Sequence, residues 1–199
     1  MKIFSSSGKF VKLVKPGTPL PSSDMLTLWS GQFVVREDAS IQFFTAEGKY
    51  IRSLDTINII KCYCLMEDKT GQLVTINEKK ETAWSRGKGK RDELKAADGG
   101  AGETNLLFFD VETGHLVKRM EMADIIKVMH RSKCRFLTSW QGKLLITDLG
   151  MDCVYTLDLD TNRVSVFGKT GSGCFNDTAG LVVDSKGNWL MADSRNHRL

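Results

Sequence analysis

A glycine that opens a short apolar run recurs along the chain: Gly31-Gln-Phe-Val-Val, Gly71-Gln-Leu-Val-Thr, Gly142-Lys-Leu-Leu-Ile and Gly187-Asn-Trp-Leu-Met. Six residues after each glycine stands an acid or amide: Glu37, Asn77, Asp148 and Asp193. A second unit is an apolar strand, a turn and a shorter strand: Ile3-Phe4 before Gly8, Phe43-Phe44 before Gly48, Phe108-Phe109 before Gly114, and Tyr155 to Leu157 before Asn162. Glycine and asparagine suit these places because tight hairpin turns need a positive φ. Gly8 to Gly48 and Gly31 to Gly71 are each 40 residues apart, and Gly142 to Gly187 is 45. Four short strands per period of that length predict the blades of an all-β propeller of four-stranded antiparallel sheets.

With strands labelled A to D, the spacing predicts complete blades over 25–54, 61–120 and 134–167. A half blade precedes them at 1–14, and the start of a further blade follows at 179–199. The second blade carries an excess over Lys79–Glu103, rich in glycine and charge. That composition predicts a disordered loop between strands B and C, because it offers too little apolar surface to offset the entropy of ordering.

The formal net charge is +4, but the segment Lys79–Arg91 alone contributes +5. The rest of the chain is therefore nearly neutral, and bulk charge is no argument for nucleic acid. Five cysteines without a tight framework read as reduced thiols in a cytoplasmic protein. No apolar run is long enough to span a bilayer, the N-terminal residues lack a secretory core, and Asn176-Asp177-Thr178 reads as a polar turn.

Asp193, Asn196, His197 and Arg198 form a tempting cluster, readable as a general base or an RNA contact. A structural reading competes. Asp193 and Asn196 would accept backbone N–H groups at a turn, and Arg198 would pair with a carboxylate. The recurrence of an acceptor at one offset in four repeats favours the structural role for Glu37, Asn77, Asp148 and Asp193. Cys62 and Cys64 alternate onto one strand face, where they read as core residues rather than metal ligands. His115 and His130 read as surface histidines. Gly168-Lys-Thr170 lacks the upstream glycine of a phosphate-binding loop. Of the ring pairs Phe43/Phe44 and Phe108/Phe109, alternation sends one of each inward.

Gly171-Ser-Gly173-Cys-Phe175, followed by Ala179 to Asp184, Gly187 to Asp193 and Asn196-His197-Arg198-Leu199, closely resembles an NHL repeat. In the preceding blade Asp148 matches Asp193, while Met151, Asp152 and Cys153 replace the Asn-His-Arg signature. This mix of one sharp and several eroded repeats resembles the propeller of the tripartite-motif NHL ubiquitin ligases. Cys134 to Tyr155 looks most like their striated-muscle branch. The resemblance implies about six blades, so the chain reads as a fragment. It also implies a RING, a B-box and a coiled coil outside the chain. Zinc is expected there and no cofactor here, and the parent is expected to oligomerise through the coiled coil.

The leading expectation is a propeller that recognises protein substrates for such a ligase, with no catalytic site in these residues. The alternative is an RNA-binding NHL propeller acting in post-transcriptional regulation. Its candidate contacts are Arg36, Lys88, Lys90, Arg91, Arg131, Lys133 and Arg195, on the end carrying the B–C and D–A loops. A third reading, an NHL-like lyase with a metal in its channel, is disfavoured by only three scattered histidines. Cut as a fragment, the chain is expected to be unstable or to associate, with Phe4, Phe10, Leu181 and Trp189 at risk of exposure. A competing geometry pairs the terminal A and B strands with the initial C and D strands to close a four-blade ring.

Overall fold

The computed structural model describes residues 2–4, 7–13, 24–37, 40–54, 62–79, 103–126, 132–168 and 175–199. Three four-stranded antiparallel sheets carry the fold. The first is β3 (Asp24–Thr27), β4 (Phe33–Glu37), β5 (Ser40–Phe44) and β6 (Tyr50–Leu54). The second is β7 (Cys62–Glu67), β8 (Gln72–Lys79), β9 (Glu103–Asp110) and β10 (Leu116–Glu121). The third is β11 (Cys134–Trp140), β12 (Lys143–Asp148), β13 (Cys153–Asp158) and β14 (Val164–Phe167). Two two-stranded sheets flank them, β1 (Lys2–Phe4) with β2 (Phe10–Leu13), and β15 (Thr178–Val183) with β16 (Trp189–Asp193). Among the described residues these pairs are separate sheets, and the four-blade closure is not formed there.

Each sheet is a meander in chain order with antiparallel neighbours, the hairpin connections being short except between β8 and β9, which residues 80–102 separate. The first strands lie side by side, β3 against β7, β7 against β11 and β11 against β15. The sheets therefore fan from a common axis as propeller blades. Turn glycines set the hairpins: Gly31, Gly71, Gly142 and Gly187 all hold φ between 79° and 88° or at 77°. In the third sheet Asn162, at φ 54°, takes the corresponding place in the second hairpin.

Both faces of a blade are covered, which changes the reading of the paired phenylalanines. All of Phe43, Phe44, Phe108 and Phe109 are buried. Phe43 and Phe109 share the core between the first two blades, Phe44 packs with Phe33 and Val35, and Phe108 enters the core between the second and third blades. Alternation still sends neighbours to opposite sides, but neither side is solvent.

Bulges correct two further expectations. The pairing of β7 with β8 shifts between Cys62 and Leu65. An extra residue there reverses the face parity. Cys62 consequently packs toward the first blade and Cys64 toward the third, on opposite faces. Burial pushes the Cys62 thiol up to about 11, with smaller opposing effects from Thr75 and Arg36. Burial likewise pushes Cys134 up to about 12. A similar shift lies in β15 between Thr178 and Leu181. Leu181 is buried against Leu145 and Val154, whereas Val182 and its cross-strand partner Leu190 face outward. Phe10 and Trp189 are exposed, and the Phe4 side chain is outside the described residues.

Two elements were not anticipated. A helical turn, α1 (Met122–Ile125), follows β10 and plugs Met122 into the core. The hairpin bearing the second-blade insertion is also longer than expected, since Lys79 pairs with Glu103. The expected loop therefore reduces to residues 80–102, which lie outside the described residues.

Candidate interaction surfaces

The end of the arc that carries the B–C and D–A connections is organised by carboxylates. Asp148, fully buried at the end of β12, accepts the Ser132 hydroxyl and the backbone N–H groups of Lys133 (2.6 Å), Gly150 (3.0 Å) and Met151 (3.2 Å). It thus ties the entry to its own blade to the turn that leaves β12. Asp193 repeats this at the end of β16, accepting the Asn176 N–H at 2.7 Å, the Asn196 amide at 2.8 Å and Arg198 Nε at 2.7 Å. Asn196 thus donates its amide to Asp193. Burial raises the Asp193 carboxyl, but those hydrogen bonds and the Arg198 charge outweigh it and hold the group below the usual carboxylate range.

The other two positions of the series differ. Asn77 is buried, and its Oδ1 has no hydrogen-bond partner. Glu37 pairs with Ser40 through the backbone, and its side chain lies outside the described residues.

The basic residues expected on this end do not assemble into a patch among the described residues. Arg36 is a correction. Its side chain is only 7% exposed and donates from Nη1 to the Cys62 carbonyl, latching the first blade to the second. The reason is its place on β4, which turns it into the blade interface rather than toward the loops. Lys133 is exposed, with its N–H held by Asp148. Arg195 is exposed and paired with Asp177 at 3.4 Å. Lys88, Lys90, Arg91 and Arg131 lie outside the described residues. Nearby, the Arg135 guanidinium stacks over the Tyr63 ring at 3.6 Å, so its charge is directed into an interblade contact.

The opposite end carries the A–B and C–D turns, and there the structure shows a set of residues not singled out in the sequence. An aspartate begins four of these turns. Asp68 accepts the N–H groups of Thr70 and Gln72, Asp110 that of Thr113, Asp158 those of Asp160 and Thr161, and Asp184 those of Lys186 and Asn188. The signal was present, since Asp68, Asp110 and Asp184 each precede a turn glycine by three or four residues.

Three of these acids carry a pH dependence. The Thr113 hydroxyl and N–H lower Asp110, the Thr161 N–H and hydroxyl lower Asp158, and the Asn188 amide and N–H lower Asp184. A folded-state value below the unfolded one contributes stability above the unfolded value of about 3.9, and that contribution is lost as pH falls through the folded value. The thermal midpoint is therefore expected to hold down to roughly pH 5 and to fall below about pH 4. Replacing Asp110, Asp158 and Asp184 together by Asn keeps turn acceptors and should flatten that acid slope. Melting curves over a pH series measure this, and an unchanged slope in the triple variant would remove the turns as its source.

No metal-binding group of three or more His, Cys, Asp or Glu occurs among the described residues. No helix there is long and apolar enough to cross a membrane.

Comparison places this geometry among known folds. No protein-family model matches the chain. No curated protein matches it either. Solved structures do. Hydrazine synthase of Kuenenia stuttgartiensis aligns over 98% of this chain and 56% of its own, with a TM-score of 0.66 and 13% identity. The WD40 β-propeller domain of Doa1 aligns over 93% of this chain and 51% of its own, with a TM-score of 0.60 and 12% identity. A streptogramin B lyase aligns over 96% of this chain and 68% of its own, with a TM-score of 0.55 and 13% identity. The chain thus spans about half the length of the Doa1 domain chain and of hydrazine synthase. The class defined by fold and comparison is the β-propeller. These likenesses concern the fold alone, and two of the three proteins named are enzymes of unrelated chemistry.

Proposed function

We propose that this chain is a protein-recognition propeller of the tripartite-motif NHL kind, acting in the cytoplasm and presenting substrates to a ubiquitin ligase whose RING lies outside these residues. The observation that carries this reading over RNA binding is the fate of the cations. Arg36 is spent on a blade latch, Arg135 lies on Tyr63, and Arg195 is neutralised by Asp177. A phosphate backbone needs several free cations to release counterions. A protein partner needs a rigid surface with variable loops, and the blades supply one. The NHL resemblance of residues 171–199 supports the ligase association.

The test fuses the chain to a heterologous RING domain and compares ubiquitin-modified proteins with those from the RING alone. A discrete set of proteins modified only by the fusion is the expected result. The RNA reading keeps one source of charge, residues 80–102, so single-stranded RNA binding is measured in parallel over a salt series, with and without that segment. Absence of any fusion-specific set, together with tight salt-sensitive RNA binding, would overturn the proposal.

A further inference from the structure

A buried polar atom without a hydrogen-bond partner costs free energy, so such atoms mark places where a further group completes the fold. Four of them occur on side chains among the described residues: Arg36 Nε, Asn77 Oδ1, Asn105 Nδ2 and Thr147 Oγ1. Thr147 stands on β12 in the third blade. The other three fall at one seam, between the first blade and the second.

The register makes them neighbours. Asn77 on β8 and Asn105 on β9 are directly opposite each other in a ladder without a bulge. Asn77 shares its face with Leu73, and Asn105 shares its face with Leu107 and Phe109, because each pair is an even number of places apart. Leu73, Leu107 and Phe109 pack in the core between the first two blades, so both amides face the first blade. Cys62 on β7 is the partner of Asn77 on its other side, and Arg36 reaches from the first blade to the Cys62 carbonyl. Directly opposite residues hold their Cβ atoms about 4.5–5.5 Å apart. Arg36, Asn77 and Asn105 are only 7%, 4% and 0% exposed.

The chemistry left on each is specific. Arg119 Nε donates to Asn105 Oδ1 at 3.2 Å, which leaves the Asn105 Nδ2 group as a donor. Arg36 spends Nη1 on Cys62 and keeps Nε as a second donor. Asn77 Oδ1 is an acceptor. Two donors and one acceptor match a buried water, which makes about three hydrogen bonds of mixed direction. An anion has no proton to give Asn77 Oδ1. It would also add charge beside Asp24, the strand partner of Arg36, whose carboxylate already accepts the Met25 and Leu65 N–H groups at 2.9 Å each. A metal cation would meet the guanidinium charge.

We infer that one buried water bridges the first two blades, accepting from Arg36 Nε and Asn105 Nδ2 and donating to Asn77 Oδ1. In the third blade Asp148 gathers its donors directly. In the second blade the residue at the same offset from the turn glycine works through the water. This inference goes beyond the recognition reading and does not depend on it.

The test is a crystal structure of the full chain grown in bromide, paired with oxygen-17 relaxation dispersion in solution, which counts waters held longer than the protein tumbles. A peak within about 2.7–3.2 Å of all three atoms, without the anomalous signal of bromide, is expected. In solution Asn77→Leu should lose one long-lived water, and Asn77→Asp, which keeps an acceptor, should retain it. Circular dichroism establishes that each variant is folded, and if Asn77→Leu does not fold the crystal peak decides. Bromide at the site, Asn77 Oδ1 in direct contact with Arg36 Nε or Asn105 Nδ2, or an unchanged water count in folded Asn77→Leu would each overturn the inference.

Discussion

Phe108→Ala is expected to cost about 3–5 kcal/mol of folding stability, the range for deleting a buried aromatic ring whose site cannot collapse. Phe108 lies on β9 in a core that joins strands of two blades: Val74, Ile76 and Leu106 from its own, and Leu137, Leu144 and Ile146 from the next. Lys118 lies over the ring, with Nζ 5.6 Å from its centroid. A void there removes contacts between blades as well as within one, and the rigid sheets on either side limit relaxation. Chemical denaturation of the two proteins measures the difference. Val117→Ala, on exposed β10, is the control and should fall within roughly 0.5 kcal/mol of the parent. A Phe108→Ala loss no larger than the control would mean that the two blades do not share this core.

Asp148→Ala should cost about 3 kcal/mol, because several donors lose their acceptor in a buried setting. The thermal midpoint of a chain this size should then drop by roughly 6–12 °C. The Ser132 hydroxyl and three backbone N–H groups converge on this carboxylate. Asp148→Asn retains one acceptor oxygen and should recover part of the loss. The equivalent place in the second blade is already an asparagine, Asn77, with an unpaired Oδ1. Asn77→Ala should consequently cost less than Asp148→Ala, although both residues are buried. Equal losses would show that the backbone N–H groups gathered by Asp148 are not what gives the position its weight.

The propeller was legible because its strongest signals are local. A turn that needs positive φ selects glycine at Gly31, Gly71, Gly142 and Gly187, and the apolar run that follows each turn marks the next strand. The carboxylates Asp148 and Asp193 were legible for a related reason: an orphan N–H at a blade end needs an acceptor at a fixed distance from the turn. The turn aspartates are local signals of the same kind: Asp68, Asp110 and Asp184 stand three or four residues before a turn glycine, and Asp158 stands four before Asn162.

What a residue faces was not legible wherever blade contact decides it. Sequence alternation put Cys62 and Cys64 on one face, and a single bulged residue in β7 put them on two. The same device in β15 buried Leu181 and turned Val182 outward. Arg36 read as a loop-end cation and proved to be a latch on the Cys62 carbonyl. The sequence by itself determined the four-stranded repeat and its turns, because those follow from backbone torsions and hydrogen bonds within a few residues. The tertiary structure alone decided the faces and the latches, because each depends on the register and packing of one blade against the next.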